Sequence, residues 1–383
     1  MSFQCSRRQF IQRSVAGAAT LALSPSAIQA AAGRSFSFVL LGDLHLDKLE
    51  HHDLGWLERE KPDDLRQVRD YSRITKEMVP KLLAAVRETV ADLNRAPETR
   101  VAFIAQAGDL VEGLCGREDL AVQHNRDAIK LMDEAKLGAP FLFTKGNHDI
   151  TGAGAPAAFA SVFHPFLSAQ RARLGASEAV TSANYEVEYG DALFCFFDAY
   201  DRESLPWLEG VLARRSARHC FLLAHPPVVP YGARSTWYLF AAEREKAQRE
   251  RLLELLGKNR AFVLGGHIHK YSVLTRATPA GSFLQLALSS VISRPEVTAR
   301  NVLSGPNAYT PDQVSVEPTF SPATEPERRA VYKLEGPFVK GFEYADLPGF
   351  AVIRLAGAKV TATVYSGVSR QVWRELDLSG MRG

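Results

Sequence analysis

Residues 36–45 read FSFVLLGDLH. The run from Phe36 to Leu41 is apolar apart from Ser37, is of strand length, and stops at Gly42-Asp43-Leu44-His45. A glycine at the end of such a run lets the backbone turn sharply or approach a ligand closely. The same pattern recurs along the chain. Val101–Ala105 ends near Gly108-Asp109, and Phe141–Phe143 ends at Gly146-Asn147-His148-Asp149. Phe221–Leu223 ends at His225-Pro226-Pro227, and Ala261–Leu264 ends at Gly266-His267-Ile268-His269. Each of these runs predicts a buried strand, and each polar block falls at a strand's C-terminal end.

The intervening segments carry a helical period. Met78, Leu82, Leu83, Val86 and Val90 mark a helix within residues 71–93, and Ile129, Leu131 and Ala135 mark one within 120–137. Trp207–Leu212 and Glu243–Leu256 read as two further helices. Tyr185–Tyr189 alternates, Gly190-Asp191 makes a tight turn and Leu193–Phe197 is apolar, which is a hairpin signal. Phe350–Leu355 and Val360–Val364 predict a closing antiparallel pair. Strands alternating with helices imply a mixed α/β domain with buried sheets. In open α/β sheets, ligands bind beyond the C-terminal strand ends, so the five polar blocks can share one rim. Two stretches lack a clear period and are expected as irregular insertions in a domain spanning 33–383. They are 46–70, polar with His51, His52 and Trp56, and 292–345, a surface excursion or lid.

The blocks are rich in metal-binding groups. If the backbone stays extended, Asp43 and His45 point the same way and share an ion; His267 and His269 repeat that spacing. A carboxylate has two oxygens, so Asp109, alone in its block, is the natural bridge between two ions. Asn147 offers a neutral oxygen and His225 a nitrogen. Taken singly, each block has an ordinary structural reading. A Gly-Asp is usually a turn, a His-Pro-Pro a loop, Gly-Asn-His-Asp a turn, and His267/His269 one face of a strand. Their joint occurrence in this order is what those readings leave unexplained.

Together the blocks resemble the pattern of the calcineurin-like metallophosphoesterases: D-x-H, G-D, G-N-H-[DE], H and G-H-x-H. The resemblance spans about residues 36–290. It implies a four-layer αββα sandwich, two mixed β-sheets flanked by helices, with a two-metal site at the strand C-terminal ends. It implies that Asp43, His45 and His269 hold one metal, that Asn147, His225 and His267 hold the other, and that Asp109 bridges them. His148 would assist the leaving group without binding metal. Asp149 would orient His148 or cap a turn. N and O ligands suit Fe, Mn or Zn without choosing among them. The implied activity is hydrolysis of phosphodiesters or phosphomonoesters by a metal-bound hydroxide. Purple acid phosphatases carry a tyrosine ligand three residues after the Gly-Asp aspartate. Here that residue is Glu112, which argues against their branch. Asp149, His-Pro-Pro and Gly-His-Ile-His look more like the class III phosphodiesterases.

The formal charge of +3 arises at the N-terminus. Of 46 lysines and arginines, Arg7, Arg8 and Arg13 lie in residues 1–32, which hold no acid, and the remainder offset the 43 acids. No nucleic-acid surface or polybasic membrane patch is implied. Ser6-Arg7-Arg8-Gln9-Phe10-Ile11, the apolar Val15–Leu23 and Ala30-Ala31-Ala32 read as a cleavable twin-arginine signal resembling those of the Tat pathway. Its apolar stretch falls short of the ~20 residues that span a bilayer, so a periplasmic or secreted protein handed to the Tat machinery is expected. An uncleaved anchor is the alternative. With Cys5 in the signal, Cys115, Cys195 and Cys220 remain, and no disulfide framework is expected. The readings that compete with a phosphoesterase are a non-catalytic metal- or phosphate-binding relative and a surface-anchored interaction protein.

Overall fold

A computed structural model describes residues 35–232, 237–316 and 324–383. The expected signal at 1–32 lies outside the described residues. The strands, in chain order, are β1 (Phe36–Leu41), β2 (Val101–Gln106), β3 (Phe141–Phe143), β4 (Tyr185–Tyr189), β5 (Ala192–Phe197), β6 (His219–Ala224) and β7 (Phe262–Gly265). They continue as β8 (Tyr271–Thr278), β9 (Gly281–Ala287), β10 (Arg300–Ser304), β11 (Val339–Asp346), β12 (Gly349–Ala356), β13 (Lys359–Ser366) and β14 (Gln371–Asp377). They form two mixed sheets, one ordered β14-β13-β12-β1-β2-β3 and the other β10-β11-β8-β9-β7-β6-β5-β4.

The site is carried by the parallel parts. β1–β2–β3 are parallel in the first sheet, and β5–β6–β7–β9 in the second. Strands buried on both faces need continuous apolar side chains. VAFIAQ, ALFCFF, HCFLLA and FVLG are buried at every position. Between the sheets, Phe38 stacks on Phe103 at 5.3 Å and meets Phe194 and Phe221 edge-on at 5.2 and 5.4 Å. Helix Val79–Leu93 covers one outer face through Leu82, Leu83, Val86 and Val90. Helices Ser204–Ala213 and Lys246–Lys258 cover the other through Leu208, Val211, Leu252 and Leu256. Among the described residues no helix is long and apolar enough to cross a membrane.

The two aperiodic stretches fold more regularly than expected. In 46–70 lie helix Leu54–Glu60, whose N-cap Asp53 accepts from Trp56 N, and the start of helix Leu65–Glu77. The single helix expected over 71–93 is two, parted at Met78 just before Pro80; proline lacks the N–H that would continue the ladder. Residues 292–345 supply β10, helix Glu325–Glu335 and β11, which pairs along β8 from Val339 to Ala345. The β11 sequence VKGFEYAD alternates too irregularly to read from sequence alone, and its pairing with β8 supplies what local pattern does not.

Candidate metal centre

All five polar blocks emerge at one rim. Asp43 follows β1, Asp109 β2, Asn147 β3, His225 β6 and His267 β7. An isolated parallel bridge from Asp43 to Ser289, just after β9, ties the two sheets together there. Gly42 N donates to Ser290 Oγ at 2.9 Å, and Leu44 N and His45 N both donate to Asp109 O. Gln106, fully buried at the end of β2, donates to Gly42 O and accepts from Gly108 N, clamping the first two loops together. It was not singled out in the sequence; a polar residue closing an apolar run was the signal available.

Three glycines set how close the loops come. A Cβ on Gly108, whose φ is +91°, would sit 2.6 Å from His225 Nδ1. On Gly146 it would sit 2.2 Å from Asp109 N, and on Gly266 2.6 Å from Asp43 Oδ2. Only a residue without Cβ fits these approaches.

The side chains then converge. Asp43, His45 and His269 place ligand atoms within 4.8 Å of one another, and so do Asp109, His225 and His267. His45 Nε2 and His269 Nε2 face each other at 2.9 Å. His225 Nε2 lies 2.9 Å from Asp109 Oδ2, 3.2 Å from Asn147 Oδ1 and 3.2 Å from His267 Nδ1. His225 Nδ1 donates to Ala107 O, which turns Nε2 inward. His45, Asp109 and His148 form a third, overlapping group. The expected strand alternation is not how these residues meet. His45, His267 and His269 have φ of +46°, +71° and +58°, so they sit in left-handed turns rather than extended backbone.

The residues fit a metal pair. Asp43 Oδ2 is buried without a hydrogen-bond partner, a costly state unless something fills its coordination. Imidazole nitrogens face each other at hydrogen-bond distance, where only one of each pair can carry a proton. Burial works against charge on His45, yet Glu112 and Asp109 outweigh it and raise its pKa to about 9. His225 is likewise raised to about 9, by Asp109. Burial and His225 push His267 down to about 3. Burial raises Asp43, but His269 and His225 more than offset it and bring its pKa to about 2. Burial likewise opposes charge on Asp109, but His225 and His148 outweigh it and hold its carboxyl well below the ordinary range, so both carboxylates stay charged.

Glu112 proves central. It is fully buried, its Oε2 is 2.6 Å from His45 Nδ1, and its Oε1 accepts from Gln67 Nε2. Its backbone carbonyl accepts from His148 Nδ1 at 2.8 Å, and its Oε2 lies 3.4 Å from that same nitrogen. Of its two expected places, Asp149 takes the turn cap and not the His148 ring. Its carboxylate accepts from Asp109 N, Val111 N and Gly146 N, so it fastens two loops, and the His148 ring rests on Glu112 instead. Burial and the Asp109 charge raise the Asp149 pKa to about 7.

Residues 36–271, well over half the chain, match the family model for calcineurin-like phosphoesterases. The chain belongs to that family. The polar blocks of this chain lie within the matched span, the last ending just short of its limit. A purple acid phosphatase from yellow lupin shares the fold, with TM-score 0.50, 12% identity, and coverage of 90% of this chain and 54% of that one. GAP50, the anchor in the inner membrane complex of Plasmodium, aligns with TM-score 0.47 and 14% identity over 90% and 89% of the chains. PhoD aligns with TM-score 0.48 and 10% identity over 90% and 69%. No curated protein sequence matches the chain.

Proposed function

We propose that this phosphoesterase is an exported, dinuclear-metal enzyme that hydrolyses phosphodiesters in preference to monoesters. The observation that carries the reading is the convergence of Asp43, His45, Asp109, Asn147, His225, His267 and His269 from five strand ends onto one rim. Asp43, His45 and His269 would hold one ion, Asn147, His225 and His267 the other, and Asp109 would lie between them. When bound, such ions neutralise a phosphoryl group and bring the pKa of a water to about 7.

The chain's own residues do the rest. Glu112 fixes His45 by its Nδ1, which leaves Nε2 for the centre; a carboxylate behind a ligating histidine sets its tautomer and orientation. His148 is held by its backbone N–H to Asp109 Oδ1 and by its Nδ1 to Glu112 O. With Nδ1–H given to Glu112 O, Nε2 carries the proton to the leaving oxygen when the ring is in its doubly protonated form. A positioned general acid of this kind contributes about 10²–10⁴-fold. Asp149 fastens the Asp109 loop to the Gly146 loop.

Elemental analysis with a substrate pair tests this. Bis-p-nitrophenyl phosphate is expected to turn over faster than p-nitrophenyl phosphate, by protein holding two metal ions per chain. Asp109→Ala is expected to lose both activity and metal. His148→Ala is expected to keep its metals and lose roughly 10²–10⁴ in rate. Full activity of His148→Ala on an ester with a poor leaving group would remove the acid role. Export rests on residues 1–32 alone; an intact N-terminus in the cytoplasmic fraction would remove it.

A further inference from the structure

The rim has a sixth loop that the five polar blocks do not include. Phe197, the last residue of β5, pairs with Ala224, the last of β6, and His225 follows directly. The loop Asp198-Ala199-Tyr200-Asp201 therefore leaves the sheet beside His225. It is braced against the Asn147 loop, since Lys145 pairs with Asp198 and Thr144 Oγ1 donates to Phe197 O. Tyr200 N donates to Asp198 Oδ1 at 2.9 Å, and Lys145 Nζ lies 5.9 Å from the Tyr200 ring.

The Tyr200 hydroxyl is buried and has no hydrogen-bond partner. Burial, reinforced by the nearby carboxylates of Asp109, Asp149, Asp198 and Asp43, pushes the phenol well above its ordinary value, so it stays a donor. The loop's place beside His225 and its brace against the Asn147 loop bring Tyr200 to the edge of the candidate centre. Two cavities of about 1080 and 770 Å³ share Tyr200, Asp201 and Arg202. The larger also takes in Pro226, Trp237, Tyr238 and Arg244. Trp237 stacks on His267 at 5.3 Å and 25° and keeps 52% of its surface exposed. An exposed indole resting on a candidate metal ligand is a platform for a planar group.

We propose that Tyr200 and Trp237 form the substrate-positioning half of this site, Tyr200 donating to a phosphoryl oxygen and Trp237 stacking on a planar aromatic substituent of the ester. The proposal deepens the phosphoesterase reading and rests on it for the place of the phosphoryl group. The favoured substrates are then phosphoesters of aryl or heteroaryl-bearing alcohols. Arg202 and Arg244 line the same cavity.

Binding of phenylphosphonate and methylphosphonate, which contain no ester to cleave, tests this on the metal-loaded full chain by calorimetry. Tyr200→Phe is expected to weaken both ligands about 10-fold, as loss of a hydrogen bond to a charged acceptor does. Trp237→Ala is expected to weaken phenylphosphonate about 5-fold and methylphosphonate less than about twofold, with Trp237→Phe restoring most of the loss. Wild-type affinity in Tyr200→Phe, or equal effects of Trp237→Ala on both ligands, overturns the proposal. Turnover of the p-nitrophenyl esters by the wild type is read separately. Phosphonate binding without turnover would remove the enzymatic reading while leaving this pair in place, and turnover with unaffected variants would do the reverse.

Discussion

His45, Asp109, His267 and His269 are non-glycine residues at positive φ. A left-handed conformation costs such residues about 1–2 kcal/mol each, so the rim is held in place by its surroundings. Glu112 is the clearest support, gripping His45 by its side chain and His148 mainly by its carbonyl. Glu112→Gln keeps the shape and removes the charge behind His45. Metal affinity is expected to fall by about 10–100-fold, as for other groups behind ligating histidines, with little change in melting temperature of the metal-free protein. Unchanged affinity by competitive chelation would reduce Glu112 to a packing residue. Sequence reading found the residues that converge but not how. The D-x-H and H-x-H spacings suggested alternation along a strand, whereas the turns that fold them inward depend on φ values no side-chain pattern reports. Glu112 was visible only as the absence of a tyrosine, because its role depends on contact with His45, which is 67 positions distant.

Elements far from the rim show the same dependence on long-range contact. Helix Glu325–Glu335 is joined to helix Lys246–Lys258 and to β8 by one carboxylate. Glu335 meets Arg249 at 2.5 Å and Arg276 at 2.7 Å, all three largely buried. Burial alone would raise the Glu335 pKa, but the two guanidinium groups outweigh it and the value is lowered. A carboxylate whose folded pKa is depressed stabilises the fold above the unfolded value of about 4.3, and that contribution is lost as pH falls through the folded value. Glu335→Gln is therefore expected to cost on the order of 3 kcal/mol at pH 7, by leaving the two arginines without a counter-charge. The gap from wild type in urea unfolding is expected to narrow below about pH 4. A gap that stays constant down to pH 3 would show that the charge on Glu335 does not matter. This helix and β11 are among the elements the sequence did not disclose. Their buried polar residues, Arg328 and Glu335 among them, mimic the composition of a solvated segment.

For the whole molecule, the core strands were the most legible part. FSFVLL, VAFIAQ, ALFCFF and HCFLLA carry their burial in composition, and their alternation with helices conveys the layered class. The split into two sheets is less visible, since nothing local says which strand pairs with which. The sheets meet through an aromatic contact chain running from Phe103 and Phe38 through Phe194 and Phe221 to Phe262. Phe38→Ala is expected to cost about 3–5 kcal/mol. If instead the loss is below about 1 kcal/mol by denaturant midpoint, the sheets are held together elsewhere.

The central position of β1 governs the order in which the chain can be completed. One edge of β1 pairs with β2, made early in synthesis, while its other edge waits for β12, some 300 positions later, from Phe36 against Leu355 to Leu41 against Phe350. Until the last strands leave the ribosome, a largely apolar strand presents an open row of N–H and C=O groups, the kind of edge that recruits other chains. Asp43, on the loop just after β1, cannot be fixed against Ser289 any sooner, because Gly349 N holds Ser289 O. Chains ending before residue 349 are accordingly expected to aggregate during translation and to retain no metal, even though every candidate ligand has already been made.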